Sequence, residues 1–134
     1  MTAEIKYINP PTLPAPAGYS QIVEVRAGRL FFIAGQVPVD SKGEVVGAGN
    51  FEAQADQVFR NLAAALASIG CTARDLVKLT VFVRDMNDLV QYRAARQRFF
   101  NSTTPPAAPA VTLVEVSRLY AGEIMLEIEG VAAA

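Results

Sequence analysis

In SQIVEVRA (residues 20–27), Val23 and Val25 alternate with Ile22, Glu24 and Arg26, the two-residue period of a strand. Ala27-Gly28-Arg29 reads as a tight turn. LFFIAGQV (30–37) follows as a nearly continuous apolar run, expected to form a central strand covered on both faces. DSKGEVV (40–46) reads as a turn leading into a short third strand. From Asn50 the period lengthens: Ala55, Val58, Leu62, Ala65, Leu66 and Ile69 fall at three- and four-residue steps, one face of a helix. Asn50 offers a side-chain acceptor to the first turn, Glu52 suits the positive end of the helix dipole, and Gly70 provides a left-handed stop. DLVKLTVFV (75–83) alternates again as a long strand. A second helix, NDLVQYRAARQRFF (87–100), is expected to be capped by Asn87 or Asp88 and to bury Leu89, Tyr92, Ala95 and Phe99 until TTPPAAP (103–109) breaks it. Two strands, 110–118 and 123–131, close the chain.

The first eighteen residues carry Pro10, Pro11, Pro14 and Pro16, show neither period, and read as an extended arm lying over the domain. With no internal repeat or linker, residues 1–134 are expected to form one domain around one core. The order β-β-β-α-β-α-β-β predicts an α+β fold: one sheet with two helices on one face. The strands nevertheless carry apolar residues on both parities: Ile22 with Val23 and Val25, Val77 with Phe82, Val111 with Thr112 and Val114. A second apolar face left in water would be a large adhesive patch, so closed self-association of sheet against sheet is expected. The alternative is that loops and the proline arm cover that face.

Composition narrows the chemistry. Half the chain is hydrophobic and 19% is charged, yet no run reaches the ~20 apolar residues of a membrane span. The segment MTAEIKYINPP lacks the apolar stretch of a signal peptide, so a cytosolic protein is expected. Net charge is −1, and the twelve basic residues are interspersed with thirteen acidic ones, without the basic stripe of a nucleic-acid binder. The single cysteine, Cys71, forms no intramolecular disulfide and, with no histidine in the chain to activate it, is read as a small buried thiol. The absence of histidine also excludes Ser-His-Asp and Cys-His catalysis and the usual zinc sites, and the carboxylates lack calcium-loop spacing. Neither metal nor cofactor is expected. Chemistry falls to Glu, Asp, Arg, Lys, Tyr, backbone groups and water.

Taken in order, AGYSQ (17–21), IAGQVP (33–38), VKLTVFVRDMND (77–88) and PAVTLVEVSRL…LEIEGVA (109–132) resemble the Rid/YjgF family of reactive-intermediate (2-imino and 2-enamino acid) deaminases. The resemblance covers nearly the whole chain. It implies a chorismate-mutase-like fold assembled as a homotrimer, three sheets forming a central barrel and small-molecule clefts lying between adjacent subunits. It implies roles as well. Tyr19 matches a tyrosine near the cleft, Gly35 a backbone position beside the ligand, and Glu127 the carboxylate that holds the attacking water.

One position departs from the family. Members acting on imino acids read Pro-Ala-Arg-Ser/Thr where this chain has Pro109-Ala110-Val111-Thr112, and that arginine clamps the substrate carboxylate. A charge-assisted contact of this kind is worth roughly 1.5–3 kcal/mol, and valine supplies none of it. Ala34, where serine or threonine is frequent, also makes the pocket less polar. Leu113 shares the parity of Val111 and lines the same space; Glu115, of the same parity, is a lower-ranked acid. The resemblance leaves two ways open. Arg93, at a cleft-facing polar position, with Arg96 one step along the helix, presents a cation from another wall, or the substrate is uncharged. Against the first stands a plain reading of Arg93, Arg96 and Arg98 as a solvated basic face.

The expected function is therefore hydrolytic deamination of a reactive imine or enamine other than the standard 2-imino acids, with Glu127 and Tyr19 as catalytic candidates. The alternative is a trimer that binds a small molecule or another protein without turnover. An endoribonuclease activity is disfavoured, since no basic track or phosphodiester-cleaving cluster is visible.

Overall fold

The computed structural model of the chain describes residues 3–134 and opens on a strand. β1 (Glu4–Ile8) runs antiparallel to β2 (Ile22–Arg26), with Ile5 opposite Val25 and Ile8 opposite Ile22. The N-terminal arm is thus partly a strand, contrary to expectation; its first two residues lie outside the described residues. In EIKYI, Ile5 and Tyr7 do alternate with Glu4 and Lys6, but the pairing that holds them comes from beyond the prolines. The proline segment is the connection. Leu13 N–H donates to the Pro10 carbonyl (3.1 Å), the Asn9 side chain accepts from Gln21 N–H (2.7 Å), and the Gln21 side chain donates to the Pro14 carbonyl (3.0 Å).

β3 (Leu30–Gln36), α1 (Phe51–Ser68), β4 (Leu76–Val83), α2 (Leu89–Phe100), β5 (Ala110–Glu115) and β6 (Leu126–Ala133) complete the order β-β-β-α-β-α-β-β. The order matches the expectation, but β1 stands in for the strand expected at 40–46. That segment is a turn. The Asp40 carboxylate accepts from the N–H groups of Lys42 (2.9 Å) and Glu44 (3.0 Å), and one isolated bridge joins Val39 to Val45. An Asx-type turn of this kind competes directly with strand pairing.

The main sheet has the order β3-β6-β4-β5, with β4 and β5 parallel and the other pairs antiparallel. The β1-β2 ribbon is a separate two-stranded sheet, tied on by the Ser20–Ala110 bridge, where Ser20 N–H donates to the Pro109 carbonyl (3.0 Å). The single continuous sheet expected from the pattern is therefore divided. β3 is an edge strand, not a central one, and Phe32 is 80% exposed. Its apolar run identifies two faces that favour burial; which of them the chain itself covers is decided by strand order, invisible in a local pattern.

Both helices pack on one face, as expected. Val58, Leu62 and Leu66 of α1 meet Leu79, Val81 and Val83 of β4 and Leu126 and Ile128 of β6, all buried in one cluster. Each such side chain contributes about 1.5–3 kcal/mol when fully removed from water. Asn50 caps α1 by accepting from Ala53 N–H (3.1 Å), and Gly70, at φ 72°, ends it. Asp88 occupies the cap position of α2 but makes no side-chain capping bond; the Asp85 carboxylate, accepting from Asn87 N–H (2.9 Å), turns the chain instead. No helix among the described residues is long and apolar enough to cross a membrane.

The opposite face carries Phe32 of β3, Val131 and Glu129 of β6, Lys78, Thr80 and Phe82 of β4, and Thr112 and Val114 of β5, all in register. The arm does not cover it. Ala17 and Gly18 pack instead on the helix side, against Arg96.

Candidate functional site

The residues singled out from the sequence fall into two groups on opposite faces of the sheet. Val111 and Leu113 pair with Leu79 and Val81 of β4, and so face the helices. Together with Tyr19, Arg93 and Arg96 they line a cavity of about 250 Å³. A second hollow, of about 490 Å³, lies on the arm side and shares Tyr19, Arg93 and Arg96. The stretch that begins at Pro109 is thus the apolar wall of a groove whose other wall is α2.

The three arginines of α2 do not form one solvated face. Arg98 pairs with Asp56 of α1 (3.1 Å), the only ion pair among the described residues. Arg93 is exposed at the mouth of the groove. Arg96 is 8% exposed, and its Nη2 donates to the Ala17 carbonyl (3.1 Å). Its guanidinium lies over the rings of Tyr92 (5.7 Å) and Phe100 (5.9 Å), a cation–π arrangement that offsets part of its lost hydration. Among the described residues its Nε meets no partner of full hydrogen-bond geometry, nor does the Tyr92 hydroxyl, although the two side chains adjoin. Burial pushes the Tyr92 phenol up to about 12, with Arg96 pulling the other way. Gly18 makes this approach feasible. Its φ is +77°, and a Cβ there would lie 2.8 Å from Arg96 Nη2.

The second group lies on the open face. Glu127 sits between Leu126 and Ile128, both fully buried toward the helices, and pairs with Phe82, so its side chain leaves the sheet on the other side. There its carboxylate lies against Gly35, close enough that any Cβ on that glycine would collide with it. Gly35 has an ordinary φ, so the requirement for glycine is steric. No cation among the described residues is within ion-pair distance of Glu127. Ala34 is exposed beside it, and its carbonyl accepts from the Gln36 side chain (3.0 Å). Glu115, with the groove-facing parity, is exposed at the end of β5, and its carboxylate is taken by Met86 N–H (2.9 Å).

The groove and Glu127 therefore share no cavity within one chain. β6 and β5 are two strands apart, roughly 10 Å, and the side chains leave opposite faces.

Gln54 escaped the sequence reading, and Tyr92 and Arg96, which it named, have features it did not give. The burial of Arg96 and the unpartnered hydroxyl of Tyr92 were legible in part, because Arg96 lies four residues after Tyr92 and four before Phe100, on one helix face. Gln54 is fully buried, donating to the Gly47 (3.2 Å) and Glu123 (2.7 Å) carbonyls and accepting from Met125 N–H (2.9 Å). It ties the approach to β6, and hence Glu127, to α1; no local signal marks a glutamine for that task. Cys71 is buried, its thiol pushed up chiefly by burial, as read from the sequence.

A mixed sheet backed by two helices in this order is the α+β, chorismate-mutase-like class. Residues 11–134 match the family model described as Endoribonuclease L-PSP. A RutC family protein of Synechocystis is 40% identical over 130 residues, covering 96% of this chain and 95% of its own. A 2-iminobutanoate/2-iminopropanoate deaminase of Salmonella typhimurium is 38% identical, covering 88% and 91%. The crystal structure of YyfB, a protein of the conserved Rid family from Yersinia pestis, superposes with a TM-score of 0.88 at 32% identity, covering 97% and 98%. The chain belongs to the Rid/YjgF family.

Proposed function

We propose that this protein is a hydrolytic deaminase of a small reactive imine or enamine, working as a homotrimer in which the groove of one subunit faces the Glu127 surface of the next. The observation that carries this reading is the Glu127 carboxylate, laid on Gly35 and paired with no cation among the described residues. An acid held in place but unneutralised is free to hold a water and take its proton. The exposed Phe32 and the apolar positions around it support the assembly, since a face of that kind favours burial.

In the proposed reaction water adds to the C=N carbon as Glu127 accepts its proton, and the nitrogen is protonated. The C–N bond of the resulting carbinolamine then breaks, leaving a carbonyl compound and ammonia. Tyr19, which lines the groove, is the proposed residue to orient the ligand or supply a proton. β5 offers Val111 where arginine-bearing members grip a carboxylate, so the substrate is anchored differently from the standard 2-imino acids.

The test is ammonia release from freshly generated 2-iminopropanoate and from neutral imines. Accelerated release that Glu127→Gln abolishes, with sedimentation still reporting three chains, supports the reading. Release unchanged by Glu127→Gln would leave a trimer that binds without turnover, and a monodisperse single chain would remove the seam on which the site depends.

A further inference from the structure

Glu127 and Gly35 meet near the end of the sheet at which β3 leaves and β6 enters. The two strands pair in step from Leu30–Ala133 to Ile33–Gly130, and the pairing resumes at Gln36–Ile128, three steps on β3 against two on β6. The surplus residue makes a bulge at Ala34 and Gly35, an irregularity of the kind that re-aims a side chain. A bulge leaves the ladder locally disrupted, so its shape depends on support from outside the ladder. α1 gives that support twice. Gln54, fully buried, accepts from Met125 N–H (2.9 Å) and donates to the Glu123 carbonyl (2.7 Å), two and four residues before Glu127. Asn61, half-buried, donates to the carbonyls of Val37 (3.0 Å) and Val39 (2.9 Å), two and four residues after Gly35. Seven positions apart, the two amides lie on one face of α1, two turns and roughly 10 Å from each other. A buried amide is favourable only where its partners are held in place, so each pins the backbone it bonds. Methionine or leucine would fill nearly the same volumes and pin nothing.

We infer that Gln54 and Asn61 are positioning residues, a two-point clamp by which α1 sets the Glu127 carboxylate against Gly35. Neither amide alone fixes the relation between the strands; one holds the approach to β6 and the other the exit from β3. That the carboxylate serves hydrolysis rests on the deaminase reading. That α1 aims it rests on the clamp.

Gln54→Met and Asn61→Leu nearly keep the volume of each side chain and remove its hydrogen bonds. Each variant is first shown by thermal unfolding to be folded, and Asn61→Leu, at the less buried position, carries the test if Gln54→Met does not fold. In the full-length protein, NMR follows the Gly35 amide and the Glu127 carboxyl carbon, and kinetics give kcat and KM for ammonia release from 2-iminopropanoate or a neutral imine. Both resonances are expected to move, and kcat to fall about ten-fold with KM changed by less than about two-fold. In a Gly35→Ala background, where the contact is already displaced, the same substitutions should lower kcat by less than about two-fold. Unmoved resonances, a loss confined to KM, or an undiminished ten-fold loss in the Gly35→Ala background would each overturn the inference. If the wild-type protein releases no ammonia, the deaminase reading falls and the two resonances alone decide whether the clamp stands.

Discussion

The groove between α2 and β5 and the open face around Glu127 contrast in what they lack. The groove has depth and buried donors: the Arg96 guanidinium, met at Nη2 by the Ala17 carbonyl, and the Tyr92 phenol. The open face has an acceptor, the Glu127 carboxylate, and no enclosure. Each supplies what the other is missing, yet the fold puts them on opposite sides of one sheet. A single chain therefore does not bring the two into one cavity; in the proposed trimer a second copy would do so. In that assembly the carboxylate would stay hydrated until a ligand and a neighbour exclude water together, when its interactions would strengthen.

The largest effect is expected at the acid. Glu127→Gln keeps the shape and removes the base, and should lower kcat/KM for ammonia release by about 100-fold or more with little change in the urea midpoint. Gly35→Ala tests whether the position of that carboxylate matters. The added methyl meets the flexible end of Glu127, so the fold should tolerate it while activity drops by about ten-fold. If Gly35→Ala leaves turnover intact, the contact is incidental.

On the groove side the effects are smaller and show in stability. Gly18→Ala places a Cβ at φ +77° and against Arg96, and should cost about 1–2 kcal/mol in denaturant unfolding. Tyr92→Phe removes a buried hydroxyl without a partner and should be neutral or stabilising by about 1 kcal/mol at neutral pH. The same variant has a pH signature. The folded phenol titrates at about 12 against an ordinary 10, so its unfolded form loses a proton first. The wild-type chain should lose stability as pH rises from 10 toward 12, and Tyr92→Phe should be spared that part of the loss. A parallel decline in both chains would show that Tyr92 is not desolvated in solution.

Much of this was legible in residue patterns. The α1 stripe, its Asn50 cap and its Gly70 stop are local features, and local features are what a sequence displays. The shared parity of Val111 and Leu113 is visible in the sequence, whereas the face from which Glu127 leaves the sheet follows from the pairing of β6 with β4. What escaped depends on distant partners. β1 is held by residues beyond a proline connection, and Arg96 is covered by a carbonyl 79 positions earlier in the chain. An arginine in a helix reads as solvated until something arrives to cover it. Val45 and Val46 suggested a strand, but a single carboxylate at Asp40 captured the backbone first.

The lone bridge between Ser20 and Ala110 stands beside Tyr19 on one strand and Val111 on the other. The ribbon is held a second time through Tyr7 of β1, whose hydroxyl accepts from Arg74 Nη1 and from Ala108 N–H (both 3.3 Å). The attachment of the ribbon thus adjoins the rim of the groove, so a substitution that loosens it should also alter the entrance.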